Sequence, residues 1–253
     1  MIITIANQKG GVGKTTSTVN IAAGLAMKGY RTLLIDTDPQ CNSTSLFFNP
    51  KETEQSLFLA FSNNDIDTQE LIKKTDVERL YAIPANIHLA KVERMLAGEI
   101  DAPIKLKKAL KETSKNFDFI MIDSPPSLGL LTVNALVASD YVIIPIAPSP
   151  WALVGVEDFL DTFKGVKETF NENLKILGVL ITLFDSRTTL AKDAASKIRE
   201  MFGELVFEEV IHRNIRLEES PAFKENIFTF APDSKGAFSY NRITEEVIRR
   251  VRQ

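Results

Sequence analysis

The sequence is expected to fold as one α/β domain, a doubly wound, mostly parallel sheet flanked by helices. Two observations predict this. Short apolar runs alternate along the chain with longer segments of helical periodicity, and several runs are apolar on both faces, as strands covered by helices on each side must be. At 253 residues, 44% hydrophobic and 25% charged, the chain has an ordinary globular composition, and α/β folds of this length are commonly one domain. No internal repeat, low-complexity tract or Pro/Ser-rich linker interrupts the alternation, so residues 1–253 read as a single unit.

The apolar run Ile2-Ile3-Thr4-Ile5-Ala6 is the first strand, and the segment 15–28 after it has helical spacing. Arg31-Thr32-Leu33-Leu34-Ile35 is the second strand. The polar stretch from Asn49 to Thr75 is the least patterned part and reads as a surface excursion with short helical pieces. A helix over 104–115 then leads into the strand Phe119-Ile120-Met121-Ile122, and a helix over 128–138 into the strand Tyr141-Val142-Ile143-Ile144-Pro145-Ile146. A helix over 155–169, a strand from Ile176 to Leu183, and helices over 189–202 and 240–252 complete the pattern.

Composition excludes several classes. No apolar stretch reaches the roughly 18 residues of a membrane span. Met1-Ile2-Ile3 runs straight into a strand with no basic region or cleavage site, so a signal peptide is not expected and a cytoplasmic protein is. The single Cys41 excludes an intramolecular disulfide and argues against a thiolate metal site. An iron–sulfur reductase would need about two cysteines per subunit if its cluster bridged a dimer. The net charge of −3 leaves no whole-chain footprint for nucleic acid, so any DNA binding must come from a local patch.

The first strand is followed by Lys9-Gly10-Gly11-Val12-Gly13-Lys14-Thr15-Thr16. A glycine-rich turn between a strand and a helix lets successive backbone N–H groups close around a triphosphate, with the positive end of the helix beneath it. Gly10, Gly11 and Gly13 supply the backbone freedom, Lys14 reaches the β- and γ-phosphates, and the Thr15 hydroxyl holds Mg²⁺. Lys9 has no task in that scheme. At the mouth of the loop it points more naturally out of its own subunit, toward a phosphate held by a facing copy.

Three aspartates fall at the carboxyl ends of expected strands, where an open α/β sheet places its ligand crevice. Asp36 and Asp38 stand in Ile35-Asp36-Thr37-Asp38-Pro39-Gln40, and Asp123 in Ile122-Asp123-Ser124-Pro125-Pro126. Any one of them alone reads as a turn carboxylate. Beside a phosphate loop, an aspartate ending a strand holds Mg²⁺ directly or through water, and Asp123 takes that role.

Strand, KGGVGKTT and amphipathic helix together resemble the deviant Walker A NTPases, and the resemblance is closest to the ParA/Soj partition ATPases and extends over nearly the whole chain. It implies a P-loop ATPase in which Lys9 is a signature lysine that crosses a dimer interface to the partner's nucleotide, so that ATP is sandwiched between two subunits. Asp36-Thr37-Asp38-Pro39-Gln40 resembles the DxDPQ switch I segment. This implies that Asp38 polarises the attacking water and Asp36 orients the Mg²⁺ hydration shell. Asp123-Ser124-Pro125-Pro126-Ser127-Leu128 resembles switch II, and Thr16 would contact the α-phosphate. Leu131-Thr132-Val133-Asn134-Ala135-Leu136 follows that turn as in the family. Phe184-Asp185-Ser186-Arg187-Thr188 resembles the segment that precedes the DNA-binding face. Arg213-Asn214-Ile215-Arg216-Leu217-Glu218-Glu219-Ser220-Pro221 resembles R-N-V-R-L-x-E-A-P. The implied roles are adenine recognition by the backbone just before and at Arg213-Asn214, and non-specific DNA contact by Arg187 and Arg216. The chain departs from the family at His212, usually proline, where the adenine contact is largely main-chain. It departs again at Ser149-Pro150-Trp151-Ala152-Leu153-Val154-Gly155 in place of Y-Y-A-L-E-G, which loses a glutamate at Val154 and puts Trp151 at an expected dimer or cargo surface.

The resemblance implies a homodimer with ATP, binding to non-specific DNA of the nucleoid, and a ParB-like or other cargo adaptor that stimulates hydrolysis and release. The basic residues alone do not carry the DNA reading, since residues 211–253 hold eight Lys/Arg against six Asp/Glu. A MinD-like membrane-cycling ATPase would need an amphipathic membrane helix at the carboxyl end. The stripe Ile243, Val247, Ile248, Val251 is short, lacks Phe, Trp and Leu, and is expected to dock on the core, so no stable membrane association is expected. A metabolic ATP-dependent ligase on the same scaffold would have no need of Lys9 and should show a substrate pocket, which the sequence does not identify.

Overall fold

The structure, a computed structural model, describes residues 1–63, 66–149 and 154–252. Among the described residues seven strands form one sheet: β1 (Ile2–Ile5), β2 (Thr32–Asp36), β3 (Lys73–Lys74), β4 (Leu80–Ile83), β5 (Phe119–Asp123), β6 (Tyr141–Ile146) and β7 (Lys175–Ile181). Their order is β3-β4-β2-β5-β1-β6-β7, parallel throughout except for the edge pair β3–β4. The order turns back at β1, which has β5 on one side and β6 on the other, and this switch point is where a doubly wound sheet opens its crevice.

Both faces of the central strands are buried, as their apolar runs require. Leu34 and Met121 point into a core shared with helix α1 (Lys14–Met27), while Leu33, Ile35, Ile120 and Ile122 fill the core on the opposite face. A third cluster packs β6 and β7 against Phe159 and Ile198 of the helices Val154–Thr169 and Thr189–Phe202. The expected helices are present at Lys14–Met27, Lys105–Thr113, Leu130–Ala138, Val154–Thr169 and Thr189–Phe202.

Two segments differ from expectation. The stretch 49–75 is not a surface excursion: Leu57, Phe61 and Leu71 are fully buried against the β2–β4 side of the sheet. Its apolar residues sit in pieces of three to five residues, too short for a periodic signal. The carboxyl-terminal helix spans Lys235–Arg250, so it begins five residues before the expected start, at a Ser234 side chain that accepts from Ala237 N. As expected, its stripe docks on the core, with Tyr240, Ile243 and Val247 at most 1% exposed.

Its last turn is locked to the sheet by Arg250. The guanidinium donates to the carbonyls of Leu177, Leu205, Glu204 and Val206, pairs with Glu246 at 2.6 Å and lies 4.5 Å over the Phe207 ring. Gly178 is required beneath it, since a Cβ there would come within 2.6 Å of Phe207 and 2.8 Å of Arg250.

Candidate nucleotide site

The turn from β1 into α1 takes φ +70° at Gly11 and +80° at Gly13, a region open to glycine and strained for side chains with a Cβ. Gly13 is the residue before α1. No side chain caps the helix and no acidic residue stands in its first turn, so the opening amides of α1 remain available to an anion. Thr182 Oγ1 of the segment after β7 donates to the Val12 carbonyl at 2.8 Å and fixes the loop from behind. The cleft in front, about 290 Å³, is lined by Gly10, Gly11, Gly13, Lys14, Thr15 and Thr16 together with Asp38, Asn42, Pro126 and Leu183.

Lys14 is 6% exposed, and its Nζ donates to the Lys9 carbonyl at 3.0 Å. Burial lowers its pKa, against the opposing pull of the Asp123 and Asp38 charges. A buried ammonium beside uncapped amides is an arrangement that an anion completes. Lys9 Nζ donates to Ser149 Oγ of the same chain at 3.1 Å, and its backbone N–H donates to Asn7 Oδ1 at 2.9 Å. The expectation that Lys9 points out of its own subunit is therefore not what this conformer shows.

The register of β2 and β5 sets Asp36 directly beside Asp123. Asp36 is spent on its own loop: Oδ1 accepts from Asp38 N at 3.0 Å, and Oδ2 accepts from Thr44 N at 2.9 Å and Thr44 Oγ1 at 2.6 Å. It therefore shapes the segment that carries Asp38. Asp38, 5% exposed, accepts from Gln40 N at 2.9 Å through Oδ1 and lines the cleft.

Asp123 is fully buried. Its Oδ1 lies 3.3 Å from the Thr18 hydroxyl, and its Oδ2 has no hydrogen-bond partner among the described residues. Burial pushes both carboxyls up, and the Asp36 charge adds to the rise at Asp123. An unpartnered, buried carboxylate oxygen whose charge is felt by the cleft residue Lys14 fits a hard divalent cation, which takes oxygen ligands. Thr15 also acts on Asp123, lowering its pKa as a hydrogen-bond donor does.

The two carboxylate segments are stitched together. Thr37 donates to the Asp123 carbonyl from N at 3.0 Å and from Oγ1 at 2.7 Å, and Ser124 Oγ donates to the Ile5 carbonyl at 2.9 Å.

Arg213 and Asn214 do not line the cleft. They follow a short bridge between Phe184 and His212, with Arg213 N donating to the Phe184 carbonyl at 3.2 Å, so they stand behind the cleft residue Leu183. The Asn214 side chain accepts from Arg216 N at 2.9 Å and caps the short helix Ile215–Glu219. Arg187 and Arg216 follow the bridged residues Phe184 and His212 by three and four positions. Each arginine already holds a carboxylate of its own chain. Arg187 is bidentate on Asp185, with Nε to Oδ1 at 2.9 Å and Nη2 to Oδ2 at 2.8 Å, and holds that carboxyl well below the usual range; Arg216 Nη1 donates to Glu219 Oε2 at 3.0 Å. Trp151 lies outside the described residues, as does the Val154 side chain.

Sequence reasoning passed over Thr18, Ser43, Thr44 and Asn20. Thr44 organises Asp36 and accepts from Ala85 N at 2.8 Å. Asn20, 2% exposed, donates to the Thr16 carbonyl at 2.8 Å and accepts from Ile227 N at 2.8 Å, which ties the first turn of α1 to the segment before the last helix. Hydroxyls and amides in helices carry no sequence signature, and the contacts of Thr18 and Thr44 with the carboxylates are formed only in the fold.

Residues 1–176 match the family model AAA_31, described as an AAA domain. The chain is 44% identical over 247 residues to the sporulation initiation inhibitor protein Soj of Bacillus subtilis, covering 97% of each. It is 41% identical over 251 residues to the chromosome-partitioning ATPase Soj of Thermus thermophilus, covering 99% of this chain and 96% of the relative. Among solved structures, cobyrinic acid a,c-diamide synthase from Mycobacterium smegmatis with bound ADP and magnesium superposes with a TM-score of 0.86 at 36% identity, covering 100% of this chain and 95% of that one. The phosphate loop, the paired carboxylates behind it and this full-length similarity agree, and the chain belongs to the Soj/ParA family of chromosome-partitioning ATPases.

Proposed function

We propose that this protein is an Mg²⁺-dependent ATPase that forms an ATP-sandwich homodimer, binds DNA non-specifically on the nucleoid in the cytoplasm, and is released when a ParB-like or other cargo-bound adaptor stimulates hydrolysis. The observation that carries the nucleotide part is the buried Lys14 beside the uncapped start of α1, with the orphaned Asp123 Oδ2 behind it. Gly10 to Gly13 and Thr16 cradle the phosphates, Lys14 neutralises the β- and γ-phosphates, and Thr15 and Asp123 hold the metal. Bound Mg²⁺ neutralises charge developing on the phosphate oxygens. Asp38 orients the attacking water, and Asp36 acts through the hydrogen bond it accepts from Asp38 N. Backbone at Arg213 and Asn214 takes the adenine.

The dimer part follows from Lys9, which the phosphate loop itself does not need. For Lys9 to reach a facing nucleotide, its bond to Ser149 must open. The DNA part rests on Arg187 and Arg216, both exposed, which follow the bridged residues Phe184 and His212 by three and four positions. A dimer presents each arginine twice, so ATP-driven pairing raises a weak phosphate contact to a useful one.

The membrane-cycling alternative is disfavoured by the buried stripe of the last helix, and among the described residues no helix is long and apolar enough to cross a membrane. Co-sedimentation with DNA and with liposomes, each with and without ATP, tests the reading. ATP-dependent pelleting with DNA alone is expected, and pelleting with liposomes alone would overturn it.

A further inference from the structure

We infer that Ser43 is a further positioning residue of the metal site, its hydroxyl holding a water of the hydration shell of the Mg²⁺ that Asp123 would bind. This rests on reading the cleft as an Mg²⁺–nucleotide site. Ser43 stands in the first turn of the short helix Asn42–Phe47, is 0% exposed, and its Oγ has no hydrogen-bond partner among the described residues. Asp123 Oδ2, likewise buried, is also without one. Two buried polar atoms without a protein partner are each unfavourable, and such groups in folded proteins are normally satisfied by protein, water or ion.

Ser43 adjoins the carboxylate pair: the next residue, Thr44, donates to Asp36 Oδ2 from N and Oγ1, and the β2–β5 register sets Asp36 beside Asp123. The Ser43 hydroxyl also lowers the pKa of both carboxyls, in keeping with that place. A purely structural helix hydroxyl behaves differently. In the same helix Ser45 Oγ donates back to the Cys41 carbonyl at 2.7 Å. The carbonyl four residues before Ser43, that of Pro39, is taken by Cys41 Sγ at 3.3 Å. Asp36 is already held by its own loop, its Oδ1 by Asp38 N and its Oδ2 by Thr44 N and Oγ1. Mg²⁺ keeps several of its waters when it binds through one or two carboxylates, and those waters need acceptors. The buried Ser43 oxygen, next to the cleft residue Asn42, is free to accept from one of them.

The test is Ser43→Ala, read by the Mg²⁺ concentration that half-maximally tightens fluorescent ADP binding and by apo thermal unfolding in EDTA. The expected result is an Mg²⁺ requirement raised about five-fold, the typical net worth of one hydrogen bond. ADP affinity in EDTA stays unchanged, and the unfolding temperature is unchanged or higher, since an unsatisfied hydroxyl has been removed. An unaltered Mg²⁺ requirement overturns the inference. So does a lower unfolding temperature with weaker metal-free ADP binding, which would mark a structural role. Asp123→Asn, measured in parallel, should abolish the Mg²⁺ dependence; if it does not, the metal reading of the cleft itself fails, and the inference with it.

Discussion

Replacing Asp123 by Asn should make the apo protein more stable at pH 8 while removing its response to Mg²⁺. The carboxyl is fully buried beside Asp36, and burial followed by the Asp36 charge raises its pKa from 3.8 to about 8. A group whose folded pKa lies above its unfolded value contributes stability that is complete below the unfolded pKa and is lost as pH climbs through the folded one. The window is therefore pH 4 to about 8. Each unit of upward shift is worth about 1.4 kcal/mol by the upper end of that window. Taking half of the shift, the loss is on the order of 3 kcal/mol, or roughly 6–12 °C in Tm for a domain of this size. An amide resembles the protonated carboxyl and carries no such slope. Urea unfolding of both proteins in EDTA at pH 5, 6, 7 and 8 is the assay. The wild type should lose more stability across the series than the Asp123→Asn variant, which keeps only the slope of the buried Asp36, so the curves separate at pH 8 with the variant above. Parallel curves, or a variant less stable at pH 8, would refute the account of Asp123 as an uncompensated buried carboxylate.

Lys14→Ala should abolish ATP binding by calorimetry, because backbone amides alone do not balance the clustered β- and γ-phosphate charge; retained affinity would remove Lys14 from the site. Asp38→Ala should bind ATP and dimerise by light scattering yet hydrolyse at least about a hundred-fold more slowly, within the usual range for a lost proton-transfer or water-orienting group. A wild-type rate would give Asp38 another role. Lys9→Ala should leave ADP binding by the monomer nearly intact and weaken the ATP dimer, and a variant that dimerises at the wild-type concentration would contradict a contact across the interface. Arg187→Glu with Arg216→Glu should remove ATP-dependent DNA binding while sparing dimerisation, and the wild-type affinity should fall steeply with salt and vary little with sequence; retention of binding by the double variant would move the DNA face elsewhere.

The sheet was legible because its central strands are apolar on both faces, a property that leaves few alternatives to a covered parallel sheet. Leu33, Leu34 and Ile35 all lie buried, on alternating sides. The edge was not legible. β4 is four residues, Leu80 to Ile83, and β3 is two lysines, held by pairing to a neighbour rather than by any pattern of their own. The buried Leu57, Phe61 and Leu71 went unseen for a related reason, since each sits in its own short turn of helix or beside one, and no face repeats often enough to register.

The nucleotide site divides in the same way. Local chain geometry alone makes the phosphate loop, so its glycines and Lys14 could be read one after another. The metal side depends on register, which brings Asp36 and Asp123 together from residues 87 apart in the chain and leaves Thr44 and Ser43 to arrange themselves around the pair. That dependence also separates the two aspartates: Asp36 accepts three hydrogen bonds from its own loop, whereas Asp123 has an oxygen without a partner among the described residues, and the proposed division of roles follows from that difference. The basic face was the least legible of all, and the ion pairs explain why. Arg187 and Arg216 each carry a neighbouring acid, Asp185 and Glu219, so their local charge sums to zero in the sequence as it does in the structure. A DNA phosphate must displace those carboxylates to bind. In the proposed DNA reading, exposed pairs of this kind are a weak obstacle beside the counterions that binding to DNA would release.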